Sequence, residues 1–204
     1  MSDSWPDEVT ARIAGEIRRL RGDRSGQWLS DRTEELGHRV SRSTISEIET
    51  GRRKSITVSD LILLAAALDT APIALIYPGP HLGKSVRITP DCPELPEIVA
   101  VEWFTGELDS VSDVPGDSGK IIQIPMQEAM NYWENLRPLK LARRLRDLDT
   151  RRKDVLREIG LKRGKVPDEE IAALAAIAEG LKRRIDEERA PNRDFFEEMF
   201  GDGG

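Results

Sequence analysis

Apolar residues recur every three or four positions through the first third of the chain, which is the spacing of amphipathic α-helices. Polar or glycine-containing breaks divide this stretch into five short helices around one apolar centre. The start of the chain, residues 1–7, is polar and is expected to be loosely held. The outer helices of the set are predicted at residues 8–20, 60–68 (capped by Ser59 or Thr57) and 72–77.

Residues 25–54 contain the second and third predicted helices, joined by a turn. The second helix stops at Gly37, because glycine readily adopts the left-handed conformation that ends a helix. The third begins after Ser41, whose hydroxyl can accept a hydrogen bond from an unpaired backbone N–H. Ile45 and Ile48 share one face of it, and small polar and cationic side chains occupy the others. Such a helix fits the major groove of DNA.

Residues 79–119 break the helical pattern. They hold five prolines, and 8 Asp/Glu against 2 Lys/Arg. This composition predicts a tether, except around 94–106, which is too apolar for a pure linker. There, Pro96 could open a short helix that Gly106 closes. We therefore expect a small ordered element between acidic loops.

A heptad pattern dominates residues 120–204. Pro138 marks either a break or the first turn of a new helix. Neither long helix could stand alone in water, since each needs a partner for its apolar stripe, and the turn at 160–166 predicts an antiparallel hairpin. Helices are predicted at residues 126–136, 138–159, 167–189 and 195–200, with a short extended segment at 121–124.

A hairpin is only one layer thick, so its stripe requires further burial. A second copy of the chain could supply it by forming a four-helix assembly. The alternative is a monomeric helical domain closed by the middle segment and the last helix. The oligomer interface predicted by the first reading consists of Leu141, Leu145, Leu148, Val155, Ile159, Ile171, Leu174, Leu181 and Ile185.

Charge is unevenly distributed along the 204 residues, whose net charge is −6. Residues 1–78 are nearly neutral, with 11 Lys/Arg against 12 Asp/Glu, and residues 36–55 are locally basic, with 5 against 2. A local positive patch suffices for phosphate contact. No signal peptide or membrane span is recognisable. The single Cys92 fits the reducing cytoplasm, and no cofactor or metal site is predicted.

The run from Ser41 to Arg53 resembles the recognition helix of lambda-repressor-like (Xre-type) helix-turn-helix proteins. A Ser cap, Ile45 and the pattern Ser46-x-x-Glu49-x-Gly-Arg occur in the family's order, and the resemblance covers residues 8–78. The turn before Ser41 is longer than the family's tightest form. Together with the residue patterns, the resemblance predicts an all-α protein: a five-helix DNA-binding domain at 1–78, an acidic Pro-rich connector at 79–119, and a coiled-coil-like helical oligomerisation or interaction domain at 120–204.

The resemblance also implies which residues contact DNA. Glu49 is expected to be structural, tying the end of the third helix to a nearby arginine or backbone N–H. The alternative for the outward residues is an ordinary solvated face. The candidates for base contact are Arg42, Ser43, Ser46 and Glu47, and those for phosphate contact are Gln27, Arg39, Thr44, Arg52, Arg53 and Lys54, beside the cap Ser41.

These observations predict a paired, sequence-specific repressor of double-stranded DNA without enzymatic activity. The resemblance extends, less specifically, to actinobacterial regulators and phage immunity repressors, which would make a lytic promoter the target. The rival is an antitoxin-like or adaptor protein whose C-terminal helices bind a partner protein. Gly116–Gly119 (Gly-Asp-Ser-Gly) resembles the nucleophile segments of self-cleaving repressors and chymotrypsin-like proteases, but it lacks the required Lys or His partner and is read as a turn.

Overall fold

A computed structural model describes residues 4–79, 84–108, 114–115, 121–122 and 126–192. The chain divides into two compact units, residues 1–129 and 130–204. The described residues are overwhelmingly helical, and their four strands have two residues each. The predicted all-α class is therefore confirmed.

Five helices form the core of the N-terminal unit, as the apolar pattern predicts. Thr57, rather than Ser59, caps the fourth, because its Oγ1 accepts a hydrogen bond from the Asp60 N–H (3.1 Å). The first helix begins at Trp5, so the expectation that residues 5–7 are loose was wrong. The helices are α1 (Trp5–Arg21), α2 (Gly26–Glu35), α3 (Arg42–Glu49), α4 (Val58–Ala67) and α5 (Pro72–Ile76).

One apolar cluster lies where these helices meet. Every helix of the five contributes a residue to it, and those at its centre are completely shielded from solvent: Ile17, Leu29, Ile48, Leu64 and Leu75. Burial of one such side chain stabilises the fold by about 1.5–3 kcal/mol. The back of α3 is thereby fixed against its neighbours.

A strand pair and a sixth helix continue this cluster. Strand β1 (Ser85–Val86) pairs antiparallel with β2 (Leu95–Pro96), Val86 lying opposite Leu95. Helix α6 (Glu97–Thr105) follows and ends at Gly106, whose φ of +69° is the left-handed conformation. The predicted helix between Pro96 and Gly106 is confirmed, and Val86, Leu95 and Ala100 are buried in the same core as the five helices.

Long-range contacts attach this element to α1 and α5. The Trp5 indole N–H donates to the Arg87 carbonyl (3.0 Å), and Arg87 pairs with Glu8. Phe104 meets the Tyr77 ring edge-to-face at 6.2 Å between centroids. The contact with Arg87 holds Trp5, the first residue of α1, against the strand pair. The boundary proposed at residue 78 stays a prediction, but core packing continues to Leu108.

Two further short strands precede the long helices. Strand β3 (Val114–Pro115) pairs antiparallel with β4 (Ile121–Ile122), which confirms extended structure at 121–122. The Gly116–Gly119 segment, read from the sequence as a turn, lies outside the described residues.

The C-terminal unit is built on two long helices, the first of which begins four residues before residue 130. Helix α7 (Met126–Lys162) is continuous through Pro138, so both predicted alternatives there, a break and the first turn of a new helix, were wrong. Proline removes one backbone hydrogen bond, and the helix-favouring residues on both sides maintain the helix. A turn with Gly164 at φ +76° leads to α8 (Asp168–Arg189) and a 3₁₀ turn (Ala190–Asn192). The helix predicted at 195–200 lies outside the described residues.

The heptad seam closes the hairpin mainly at its open end. Leu141, Leu145, Leu148 and Ile185 form a small cluster against which Leu181 packs, and Arg144 pairs with Glu188 (2.6 Å). The remaining members of the predicted interface are half-buried: Val155, Ile159, Ile171 and Leu174. The cluster residues of the predicted interface are thus buried within a single chain. The role of the nine predicted interface residues in oligomerisation stays a prediction.

Candidate DNA-binding surface

The start of α3 is fixed by its N-cap. The Ser41 Oγ accepts a hydrogen bond from the Thr44 backbone N–H (3.1 Å), as the sequence predicts. The same oxygen lies 2.7 Å from the Ser43 Oγ and 2.9 Å from the Thr44 Oγ1. Ser41 and Thr44 are half-buried, whereas Ser43 is exposed. Of these three residues, therefore, only Ser43 is exposed to a ligand, and its hydroxyl already shares a hydrogen bond with the Ser41 Oγ.

The two faces of α3 differ sharply in exposure. Ile45 and Ile48 retain at most 1% of their accessible surface. The four predicted base-contacting residues lie on the other faces and are all exposed: Arg42, Ser43, Ser46 and Glu47. The helix therefore presents a short polar and cationic surface while its apolar side is held by the core.

An internal hydrogen-bond pair fixes the turn between α2 and α3. The Thr33 Oγ1 donates to the Ser30 carbonyl and accepts from the Val40 N–H, both at 2.8 Å. Thr33 and Ser30 are completely buried, and Val40 is nearly so. Gly37 adopts φ +97°, which confirms the predicted helix stop. The long turn thus rejoins the core one residue before Ser41.

The end of α3 is braced against α1. Both Glu49 carboxylate oxygens accept hydrogen bonds from Arg21, at 2.7 Å from Nε and 2.9 Å from Nη2. Arg18 also donates to the Glu49 carbonyl. The bonds to Glu49 raise the pKa of the Arg21 guanidinium above its ordinary value. Both side chains are largely shielded from water, so the structural role predicted for Glu49 is confirmed.

The predicted phosphate-contacting residues surround α3, and several pair with carboxylates. Arg39 contacts Asp31 and Glu34, and Gln27 donates to Asp31 (2.8 Å). The other two cations follow α3 in the chain: Arg53 pairs with Asp60 (3.3 Å) and Lys54 with Asp7 (3.4 Å). Gln27, Arg39 and Lys54 are exposed, whereas Arg53 is half-buried. The exposed pairs of Arg39 are weak and exchangeable, whereas the Arg53–Asp60 pair is more shielded from water.

Arg42 and Arg52 differ from these residues. Both are exposed, and no ion pair joins either of them to another residue in the described part of the chain. They stand at the two ends of the α3 region, Arg42 in its first turn and Arg52 in the basic turn that follows Gly51. As far as the described residues go, an incoming anion would displace no carboxylate at either of these two guanidinium groups.

Two positioning residues were not recognised from the sequence. Thr33 fixes the turn and Arg21 braces α3, but neither was among the predicted site residues. The sequence does contain signals for the Arg21–Glu49 contact, namely the arginines at the end of α1 and the carboxylate of Glu49. Nothing local marks Thr33, because its partner Val40 is seven residues away across a turn.

The described residues show neither a metal-binding cluster nor a membrane-spanning helix. Among the described residues, no group of three or more His, Cys, Asp or Glu side chains could hold a metal ion. Within the same residues, no helix has both the length and the apolar content needed to cross a membrane.

Comparison with known proteins supports the assignment of α3 and its neighbours to a helix-turn-helix. The family model described as Helix-turn-helix matches residues 34–75, which contain the turn before α3, α3 itself, α4 and most of α5. Curated proteins and solved structures give no significant match. The match covers the exposed α3 surface and much of the core behind it. The chain thus carries an Xre-type helix-turn-helix domain and is a DNA-binding transcription regulator.

Proposed function

We propose that the protein is a sequence-specific repressor that reads the major groove of double-stranded DNA with α3. The observation that carries this proposal is the exposed polar and cationic surface of α3 on a helix whose two ends and apolar side are fixed. A reading helix held in this way loses little conformational freedom on binding, so its contacts contribute to affinity and specificity.

The residues on this surface have complementary chemistries. The Arg42 guanidinium can donate two hydrogen bonds to guanine O6 and N7, and Glu47 can accept from the amino group of cytosine. The hydroxyls of Ser43 and Ser46 can donate or accept and thus suit several bases. Since Arg42 lies in the first turn of α3, it is placed where recognition helices commonly reach base edges.

The flanking residues supply contacts to the DNA backbone. Arg52 is available directly, whereas Arg39, Arg53 and Lys54 would exchange a protein carboxylate for a phosphate. Each such exchange breaks an existing ion pair, and this loss offsets part of the energy gained from the phosphate. These contacts therefore contribute less to DNA affinity than the number of charges alone indicates. Gln27 and Thr44 would add neutral hydrogen bonds to the same backbone.

Repression would follow from occupation of a promoter by two copies of the chain. Two helix-turn-helix units on one face of DNA require half-sites about 34 Å apart. We propose a homodimer formed through the C-terminal helices, with the half-buried seam residues near the turn as its contact surface: Val155, Ile159, Ile171 and Leu174. The identification of a lytic promoter as the target stays a prediction.

Selection of preferred sites from random duplex DNA, followed by binding measurements on the selected and scrambled sequences, tests base reading. We expect Arg42→Ala to weaken binding to the selected site by about 1–3 kcal/mol with little effect on scrambled DNA. Lys54→Ala should weaken both and reduce the salt dependence. Arg151→Ala, which removes an exposed arginine from the hairpin, is the control.

Two outcomes would overturn parts of this proposal. Equal loss on both DNAs for Arg42→Ala would contradict base reading by α3. Light scattering that gives a monomer on DNA would contradict the homodimer. Isolation of the hairpin with a second, different polypeptide would instead favour the antitoxin-like or adaptor function.

A further inference from the structure

The middle of α8 is apolar on every side, although α7 covers only one side of it. Residues 171–178 contain no polar side chain, and a helical segment that is apolar all round is normally buried. Among the described residues of this segment, only Ala178 is buried, whereas Ile177 is 52% exposed. Ile177 lies about 100° around the helix from Ala178, outside the seam. We call this uncovered side the outer face of α8, and it consists of Ala173, Ala176, Ile177 and Gly180.

Gly180 is not explained by packing within the hairpin. Glycine in the interior of a helix is destabilising relative to alanine. A Cβ atom at Gly180 would meet no other atom within 4 Å in the described part of the chain, so nothing there requires the side chain to be absent. The bare backbone does allow a second helix to approach the outer face closely.

The charges around the apolar run alternate in sign along the chain. Residues 162–165 carry three Lys/Arg, 168–170 three Asp/Glu, 182–184 three Lys/Arg and 186–188 three Asp/Glu. A second copy that lies antiparallel across the run opposes each cluster with one of opposite sign, whereas a parallel copy in register opposes like charges. Glu179, the remaining charge within 168–184, lies about 160° around the helix from Ile177. The charge pattern therefore fits a second copy of this chain in the antiparallel orientation.

The charges that flank the outer face are available to such a copy. Glu169, Arg183 and Arg184 are exposed, and within the described residues no ion pair or side-chain hydrogen bond engages them. Arg184 follows Ile177 by two helical turns and therefore lies on the same side of α8. Glu170 already pairs with Lys162 (2.7 Å) and is left out of the contact.

We propose that two copies of the chain pack their α8 helices antiparallel through the outer face, with a two-fold axis near Ala176 and Ile177. In this register Glu169 of each copy lies opposite Arg184 of the other, because a two-fold contact occurs twice. Ile177 of both copies is buried near the axis, and Gly180 permits the close approach. The inference rests on the homodimer of the proposed function and specifies its orientation and central contact.

Charge exchange between two variants tests this contact. Glu169→Arg and Arg184→Glu each place like charges at both contacts of their own homodimer, whereas a mixture of the two variants can form a heterodimer with opposite charges at both. Sedimentation equilibrium of the full chain without DNA measures the dimer dissociation constant. We expect each variant alone to raise this constant at least about tenfold, and the equimolar mixture to return to within about threefold of the unaltered chain.

Two features of α8 make the result specific. Glu169 and Arg184 are about 22 Å apart along one helix, so recovery in the mixture cannot come from a contact within one chain. Lys182→Glu is the matched control, because Lys182 is exposed but lies about 140° around the helix from Ile177. We expect it to change the dissociation constant by less than about twofold. Circular dichroism of every variant checks that the helices are retained.

Three outcomes would overturn the inference. A dimer that neither single reversal weakens, or a mixture that does not recover, would contradict the antiparallel contact and leave the homodimer in place through another surface. A monomer at every concentration without DNA would also overturn it. The proposed homodimer is tested on DNA, and base reading is tested by Arg42→Ala, so each of these can fail separately.

Discussion

The N-terminal unit and the C-terminal hairpin have the same kind of apolar periodicity but different degrees of burial. In the N-terminal unit, residues such as Ile17 and Leu64 lose all contact with solvent, because each helix is covered by others. In the hairpin, the large apolar side chains of Leu148 and Leu145 retain 5% and 8% of their accessible surface, and among its described residues only the small Ala178 falls lower, to 2%. An apolar stripe at helical spacing therefore predicts that the helix packs against another surface. It does not predict how many neighbouring helices cover that stripe.

Polar contacts differ in the same way. The N-terminal unit uses ion pairs between distant parts of the chain, such as Arg21 with Glu49. Along α7, many pairs instead join residues three or four positions apart, including Arg151 with Asp147. A pair within one helix stabilises that helix, whereas a pair between helices also fixes their packing. Among the described residues, pairs of the second kind are the more common in the N-terminal unit, which contains the candidate DNA-binding surface, although the hairpin also has one between Arg144 and Glu188.

Core truncation gives the largest expected effect. Ile17→Ala should lower the free energy of unfolding of the N-terminal unit by about 2–5 kcal/mol, because it leaves a cavity at a fully covered position. Leu148→Ala in the hairpin should cost less, because solvent already reaches the seam. Urea unfolding followed by circular dichroism measures both, and Ile62→Ala, at a half-exposed position, is the control. A larger cost at Leu148 would contradict the comparison.

Loss of the brace on α3 comes next. Glu49→Gln should cost about 1.5–3 kcal/mol of stability, the range for hydrogen bonds to charged groups, because Arg21 is left shielded from water without its carboxylate. We also expect weaker binding to the selected DNA site, since the end of α3 is released. Thermal unfolding and a binding titration measure the two effects. Reduced stability with unchanged binding would show that the brace does not position α3.

The turn before α3 offers a matched pair of substitutions. Thr33→Val keeps the side-chain shape but leaves the buried Val40 N–H without its acceptor, at a cost of about 1–3 kcal/mol. Ser30→Ala should be neutral or stabilising, because the buried Ser30 Oγ has no hydrogen-bond partner among the described residues. Denaturant unfolding of both variants tests this. A cost at Ser30 similar to that at Thr33 would contradict the assignment of the hydrogen bond to Thr33.

The smallest effect is expected for the local pairs of α7. A double-mutant cycle on Arg151 and Asp147 should give a coupling of about 0.2–0.5 kcal/mol that decreases with added salt. Repeating the cycle in low and high sodium chloride provides the control. A salt-independent coupling above this range would show that the pair also contacts something beyond its own helix.

The sequence predicted those features that depend on neighbouring residues. Ser41 caps α3, Gly37 ends the helix before it, and Pro96 and Gly106 bound α6, because each conformation is set by the residue itself and its immediate surroundings. The start of α1 at Trp5 was missed although Ser4, Pro6 and the acidic pair Asp7 and Glu8 are local signals of a helix start; only the contact of the indole with Arg87, 82 residues away, could not be read locally. The continuity of α7 through Pro138 was missed because the rule that proline breaks a helix considers one residue. It does not include the stabilisation that the helical turns on both sides provide.

The same limit applies to the candidate site. The exposure of Arg42, Ser43, Ser46 and Glu47 followed from the positions of Ile45 and Ile48 on the same helix. Which cations carry an ion pair could not be predicted, because Lys54 meets Asp7 and Arg53 meets Asp60 only after the chain has folded.

Because the hydrogen bonds of Thr33 fix the chain just before α3, the direction of α3 does not depend on the length of the loop that precedes it. Residues 34–39 are exposed and lie between an anchor at Thr33 and another at Val40. Substituting surface residues within that span, or lengthening it by a glycine, should leave α3 pointing in the same direction. The loop is therefore a place where a tag or a spectroscopic probe could be inserted beside the candidate DNA-binding surface without changing the direction of α3.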